Sequence, residues 1–153
     1  MKVNAGEVIQ FGKYPQSDPY GKTPEAINWK VLAVENGKAL LLSETCLENV
    51  RYHEALVPST LANCTLRKWC NETFLQEAFT PEEQAQILKT TLSNPENKQF
   101  NTAGCEDTVD QVFALSIDEL ERYIPNKQDR MAPATEVAKN HGTYVYPDTG
   151  NAI

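Results

Sequence analysis

The chain has 153 residues, the size of one ordinary domain. Leu, Ile, Val and Phe make up about 22% of it, just above the range in which a chain cannot bury enough apolar surface to fold. With a formal charge of −7, this composition speaks against collagen, a coiled coil, a disordered tail and a free-standing nucleic-acid binder, which is normally basic.

The opening Met1-Lys2-Val3-Asn4-Ala5-Gly6-Glu7 carries no apolar stretch, whereas a secretory signal needs about 7–15 apolar residues. Apolar runs such as Ala39-Leu40-Leu41-Leu42 are far short of the ~20 residues that span a bilayer. The expectation is a cytoplasmic protein without membrane contact, or a secreted one had a leader been removed.

Glu7-Val8-Ile9-Gln10-Phe11 predicts a short strand, punctuated by Gly12 and Pro15, with a loop through Ser17 to Pro24. Ile27 to Val34 and Lys38 to Ser43 flank Glu35-Asn36-Gly37. Asn-Gly accepts positive φ at both central turn positions, so this reads as a type I′ hairpin. Leu40 to Leu42 is apolar on both faces, which predicts a central, buried second strand. Leu61, Thr65, Leu66, Trp69, Thr73 and Phe74 follow helical spacing and predict an amphipathic helix over 60–79, broken near Asn71. Thr80-Pro81-Glu82-Glu83 spells a capping box with Pro at the first helical position. Ser93 to Asn97 reads as a turn and Asn101 to Asp107 as a polar loop. Val112-Phe113-Ala114-Leu115 predicts a buried strand, and Ser116 caps a helix over Ile117 to Tyr123 with Glu119 at its third position. Pro133 to Lys139 predicts a further helix, and Thr143 to Tyr146 a last strand. The pattern is α+β in a single domain, 1–153.

Cys46, Cys64, Cys70 and Cys105 are separated by 18, 6 and 35 positions, with no C-x-x-C. Zinc sites usually have two close ligand pairs, so reduced, packed thiols are expected and no metal or cofactor. Cys64 and Cys70 lie about 240° apart on a helix and cannot bridge within one.

Phe11-Gly12-Lys13-Tyr14-Pro15-Gln16, Ile27 to Leu32, Lys38 to Ser43, Cys64-Thr65-Leu66-Arg67-Lys68-Trp69, Ala78 to Glu83 and Val112 to Ser116 stand in order from about residue 6 onward. With them the chain resembles an uncharacterised bacterial domain-of-unknown-function family, frequent in gut-associated bacteria. That family looks related to C-type-lectin-like folds, including formylglycine-generating enzymes. The resemblance implies a small, twisted, largely antiparallel sheet with two main helices; fold analogy does not transfer activity. Two departures stand out. Relatives continue past a segment like Gly142 to Val145 into a W-W-L-R-S-P-G-like strand, where this chain reaches Gly150-Asn151-Ala152-Ile153; the expectation is a lectin-like domain incomplete at its C-terminus. Cys70 stands where relatives commonly carry Leu.

Tyr14, Tyr20, Tyr144 and Tyr146 sit near predicted loops and strand ends, where exposed tyrosines make recognition anchors; alternatively Tyr14 and Tyr144 close the sheet. Glu106, Asp107 and Asp110 are weak calcium candidates, since the alternating EF-hand spacing is missing. Cys46 with His53 could suggest a thiol–imidazole pair, but a packed thiol and a surface histidine are the ordinary outcome. Arg67 is expected to pair with a core-edge carboxylate or a carbonyl. No catalytic set assembles. The leading expectation is a non-catalytic lectin-like binding or scaffold domain with a protein or glycan ligand. An open sheet edge would invite a homodimer. A remnant or subunit of a formylglycine-generating-type oxidase is the alternative; an acidic inhibitor that mimics nucleic acid is a third.

Overall fold

The computed structural model describes residues 2–152; Met1 and Ile153, part of the two ends read above, lie outside the described residues. The chain falls into two compact units. One comprises the residues up to Asn49 together with those from Leu115 onward, and the other is Val50–Ala114.

In the first unit, β1 (Val8–Pro15), β2 (Pro24–Glu35) and β3 (Lys38–Ser43) form an antiparallel sheet in the order β1-β2-β3. The hairpin between β2 and β3 turns at Asn36 (φ 51°) and Gly37 (φ 75°), with Glu35 paired to Lys38, as Asn-Gly dictates. Gly12 does not end β1. It sits at φ +70° where the register slips between Gln10 and Lys13, a bulge that lets the strand continue to Pro15. The expected place of Leu40 to Leu42 is corrected too: β2 is the central strand, and its Ile27 and Val31 are almost wholly buried, whereas β3 is an edge with half-buried leucines. Alternation in β2 concentrates burial on Ile27 and Val31, and a run apolar on both faces does not substitute for a second neighbour.

The same unit continues with α4 (Ile117–Tyr123), held by a complete Ser116–Glu119 capping box. It then forms a short β6 (Ala132–Pro133) antiparallel to β7 (Asn151–Ala152). That pairing delays the last helix, α5, to Glu136–Asn140, three residues later than its spacing suggests, with Thr135 as its N-cap. Ala134, Ala138 and Ala152 pack with Cys46 and Val145 in a small apolar cluster. Thr143 to Tyr146 is not a strand, because its first amide closes α5 and its last turns back to Asn151.

In the second unit the expected helix is present but changes pitch. α1 (Thr65–Lys68) runs into a π-helical segment, Trp69–Phe74, and returns as α2 (Leu75–Ala78). Its buried side carries Cys64, Cys70, Phe74, Leu75, Ala78 and Phe79, with Phe74 against Trp69 (ring centroids 5.2 Å) and edge-on to Phe79 (5.8 Å). Thr80 and Glu83 complete the expected capping box of α3 (Pro81–Gln84). β4 (Thr90–Asn94) pairs antiparallel with β5 (Cys105–Asp110), so part of the expected polar loop is strand. Val112 to Leu115, by contrast, is not. The Asn71 amide takes the main-chain groups that a ladder would use: its Oδ1 accepts from the N–H of Gln111 (2.8 Å) and Val112 (3.3 Å), and its Nδ2 donates to Val112 O (2.9 Å).

Candidate functional site

Exposed tyrosines gather along the stretch that follows α5. The helix ends in a Schellman motif: Thr143 N–H donates to Ala138 O (2.9 Å) and Gly142 N–H to Lys139 O (3.0 Å). Gly142 stands at φ +95°, and a Cβ there would meet Asn49 Nδ2 at 3.4 Å, so the turn requires glycine. Just beyond it, Tyr144 (70% exposed) and Tyr146 (40%) meet edge to face, centroids 5.5 Å apart at 80°. A further hold is Tyr146 N–H to Asn151 O (2.8 Å). Tyr20, 79% exposed with Lys22 over its ring at 5.8 Å, belongs to a turn tied to the same helix end by Asn140 Nδ2 donating to Pro19 O (3.1 Å).

Tyr14 is different. It is buried, and its hydroxyl donates to Glu48 Oε2 (3.0 Å), which corrects its expected exposure: β1 carries it onto the covered face of the sheet. Glu48 also accepts from Asn49 N–H (2.8 Å) and lies 2.6 Å from His141 Nδ1, while Asn49 Nδ2 donates to His141 O (2.8 Å). This carboxylate-centred cluster anchors the α5 turn, and sequence reasoning missed it. His141 and Glu48 are 93 positions apart, so no local pattern could announce them. Glu25 is held below the usual carboxylate range by bonds from the Ser17 hydroxyl and amide.

The second unit holds a cleft of about 350 Å³ lined by Cys64, Arg67, Asn71 and Asp110 among others. Arg67 has the partners expected of it: Nε to Asp110 Oδ1 (2.8 Å) and Nη1 to Ala62 O (3.0 Å). Glu106 and Asp107 are exposed, and Asp107 alternates to the opposite face of β5 from Asp110. The three calcium candidates are thus not brought together. Among the described residues, no three or more His, Cys, Asp or Glu could hold a metal ion. Burial, reinforced by Cys64 and Asp110, pushes the Cys70 thiol up to about 11; burial also raises Cys46. Cys46 turns its sulfur to Ala132 O, and His53 Nδ1 lies 3.4 Å from Thr65 Oγ1, so each has its own neighbour. Cys64 caps the helix that carries Cys70, about 9 Å along its axis. A disulfide needs Cα atoms within about 7 Å, so this pair cannot bridge without backbone movement.

The model of the family described as "Domain of unknown function (DUF6273)" matches residues 36–147, and the chain belongs to that family. The match takes in β3, all of the second unit and the segment with His141, Tyr144 and Tyr146, while Tyr14 and Tyr20 lie before it. No curated protein and no solved structure matched the chain. No helix among the described residues is long and apolar enough to cross a membrane.

Proposed function

We propose that this chain is a non-catalytic, lectin-like binding or scaffold domain of a bacterial family, whose ligand is a protein or a glycan. The observation that carries this reading is the Tyr144–Tyr146 pair, exposed yet mounted on a backbone fixed by the Schellman turn and by Asn151. Rigid aromatic rings offer large contact area with little conformational entropy left to lose. Tyr20 extends the same recognition surface. The edges of the three-stranded sheet extend the reading to a homodimer of two copies joined strand to strand. Four free cysteines suit the reducing interior of a cell.

Glycan and protein arrays probed with the wild type and with the Tyr144→Ala/Tyr146→Ala variant test it. The expected outcome is a partner whose binding weakens about tenfold or more in the variant. A wild type with no partner on either array, or a variant that binds as well, argues against the reading. Light scattering after size exclusion tests the dimer, and a monomer at every concentration removes it.

A further inference from the structure

We propose that the cleft on the π-helical segment binds a small zwitterion, a molecule carrying a protonated amine beside a carboxylate, such as a free α-amino acid. Its volume of about 350 Å³ lies at the lower end of the ~300–1,000 Å³ of small-molecule sites, and it is built entirely within Val50–Ala114.

Two independent features mark it. The first is the wide turn itself: π-helical segments are rare and recur at functional sites. Here Asn71, in the cleft wall, stabilises the turn by donating to Arg67 O (3.1 Å) and Val112 O (2.9 Å). The second is Asp110, whose side chain is 1% exposed. Its Oδ1 accepts from Arg67, but its Oδ2 is buried with no hydrogen-bond partner. A buried acceptor left unmatched is costly, so Asp110, in the wall of the cleft, keeps a standing demand for a donor.

The chemistry of the walls selects the ligand. An ionised carboxylate only accepts, and an ammonium gives it the strongest, charge-assisted bond. Arg67 has five N–H groups, of which three are committed, to Asp110, to Ala62 O and to Val109 O; the last bond, at 3.5 Å, is the weakest. Its side chain is still 30% exposed, and a planar guanidinium is shaped for a carboxylate. Oδ2 is buried, so entry of the ammonium requires the wall around Asp110 to yield, and the bond of Arg67 to Val109 O, the longest of the three, is the weakest restraint there. At the mouth, Lys68 and Glu72 lie 4.0 Å apart, one charge of each sign, so the local field favours neither a simple cation nor a simple anion.

Two-dimensional amide NMR of the full chain titrated with glycine, L-alanine, L-serine and L-glutamine tests this. At millimolar concentration at least one should shift amides within 62–72 and 109–112, and N-acetylglycine and glycinamide should bind about tenfold more weakly or worse. Asp110→Asn should abolish the shifts; the blocked ligands keep the test decisive if that variant does not fold. Silence of those amides towards all four amino acids, or N-acetylglycine binding as well as glycine, overturns the proposal.

Discussion

The two compact units satisfy their backbones by different means. In the one built from the residues up to Asn49 and from Leu115 onward, main chain mostly answers main chain: a three-stranded ladder, a two-residue pairing of β6 with β7, and a Schellman turn. In Val50–Ala114 the ladders are short and long polar side chains stand in for missing strands. Arg67 reaches two carbonyls, Asn71 bonds four main-chain groups, and Gln111 Nε2 donates to Gln84 O and Ile87 O. A ladder spreads its stability over many equivalent bonds, whereas a side chain that replaces a strand concentrates it in one residue. The second unit should therefore be the more fragile to single substitutions.

The largest effect is expected from Arg67→Ala. It strands a buried Asp110 carboxylate, and losing one partner of a buried pair costs about 3–5 kcal/mol; urea denaturation should show it, and a cost near that of a surface ion pair would break the comparison. Asn71→Ala comes next, at about 2–3 kcal/mol, because several main-chain groups lose their partner together. A cost below about half a kcal/mol would mean that water or an ordinary α-turn replaces the amide. In the first unit the sensitive place is conformational: Gly142→Ala forces a left-handed backbone on a residue with a Cβ and should cost about 1–2 kcal/mol. Near-UV circular dichroism should change with it as Tyr144 and Tyr146 lose their fixed geometry. Matched caps sharpen the contrast, since Thr80→Ala and Ser116→Ala remove the same device from the two units. Each should cost about 1 kcal/mol, lowering Tm by about 2–4 °C.

Alkali gives the last test, with no effect at neutral pH. The Cys70 thiol ionises near 9.0 in an ordinary setting and is pushed up to about 11 here. The unfolded chain thus gives up this proton first. The stabilisation is whole below pH 9 and is lost as pH rises towards about 11. Cys70→Val should flatten that alkaline limb; an unchanged slope would deny the thiol its part.

The fold was legible where signals are local. Asn36-Gly37 specified its turn, the Thr-x-x-Glu and Ser-x-x-Glu caps specified two helix starts, and Arg67, turned away from Trp69 on an amphipathic helix, pointed to a carboxylate or carbonyl partner. Legibility failed where a distant group decided the outcome. Val112 to Leu115 has the composition of a strand, but Asn71 occupies its first hydrogen bonds. Of the candidate tyrosines, Tyr20, Tyr144 and Tyr146 are exposed, the last two on a segment that reads as a strand and is not one. Tyr14 follows the alternation of β1 inward to Glu48, a partner 34 positions away.

The π-helical segment has one more consequence. In a regular α-helix, Trp69 and Phe74 would project about 140° apart, since five steps of about 100° overshoot a full turn. The wider turn removes most of that offset and lets their rings lie 5.2 Å apart. It acts as a phase shifter: the segment before it sets Arg67 beside Asp110, while its own last residue, Phe74, and Leu75 and Ala78 of the segment after it face the core. Deleting one residue between Trp69 and Phe74 would let a regular α-helix join the two halves in nearly the same phase, since four steps of about 100° again bring these two rings to one side.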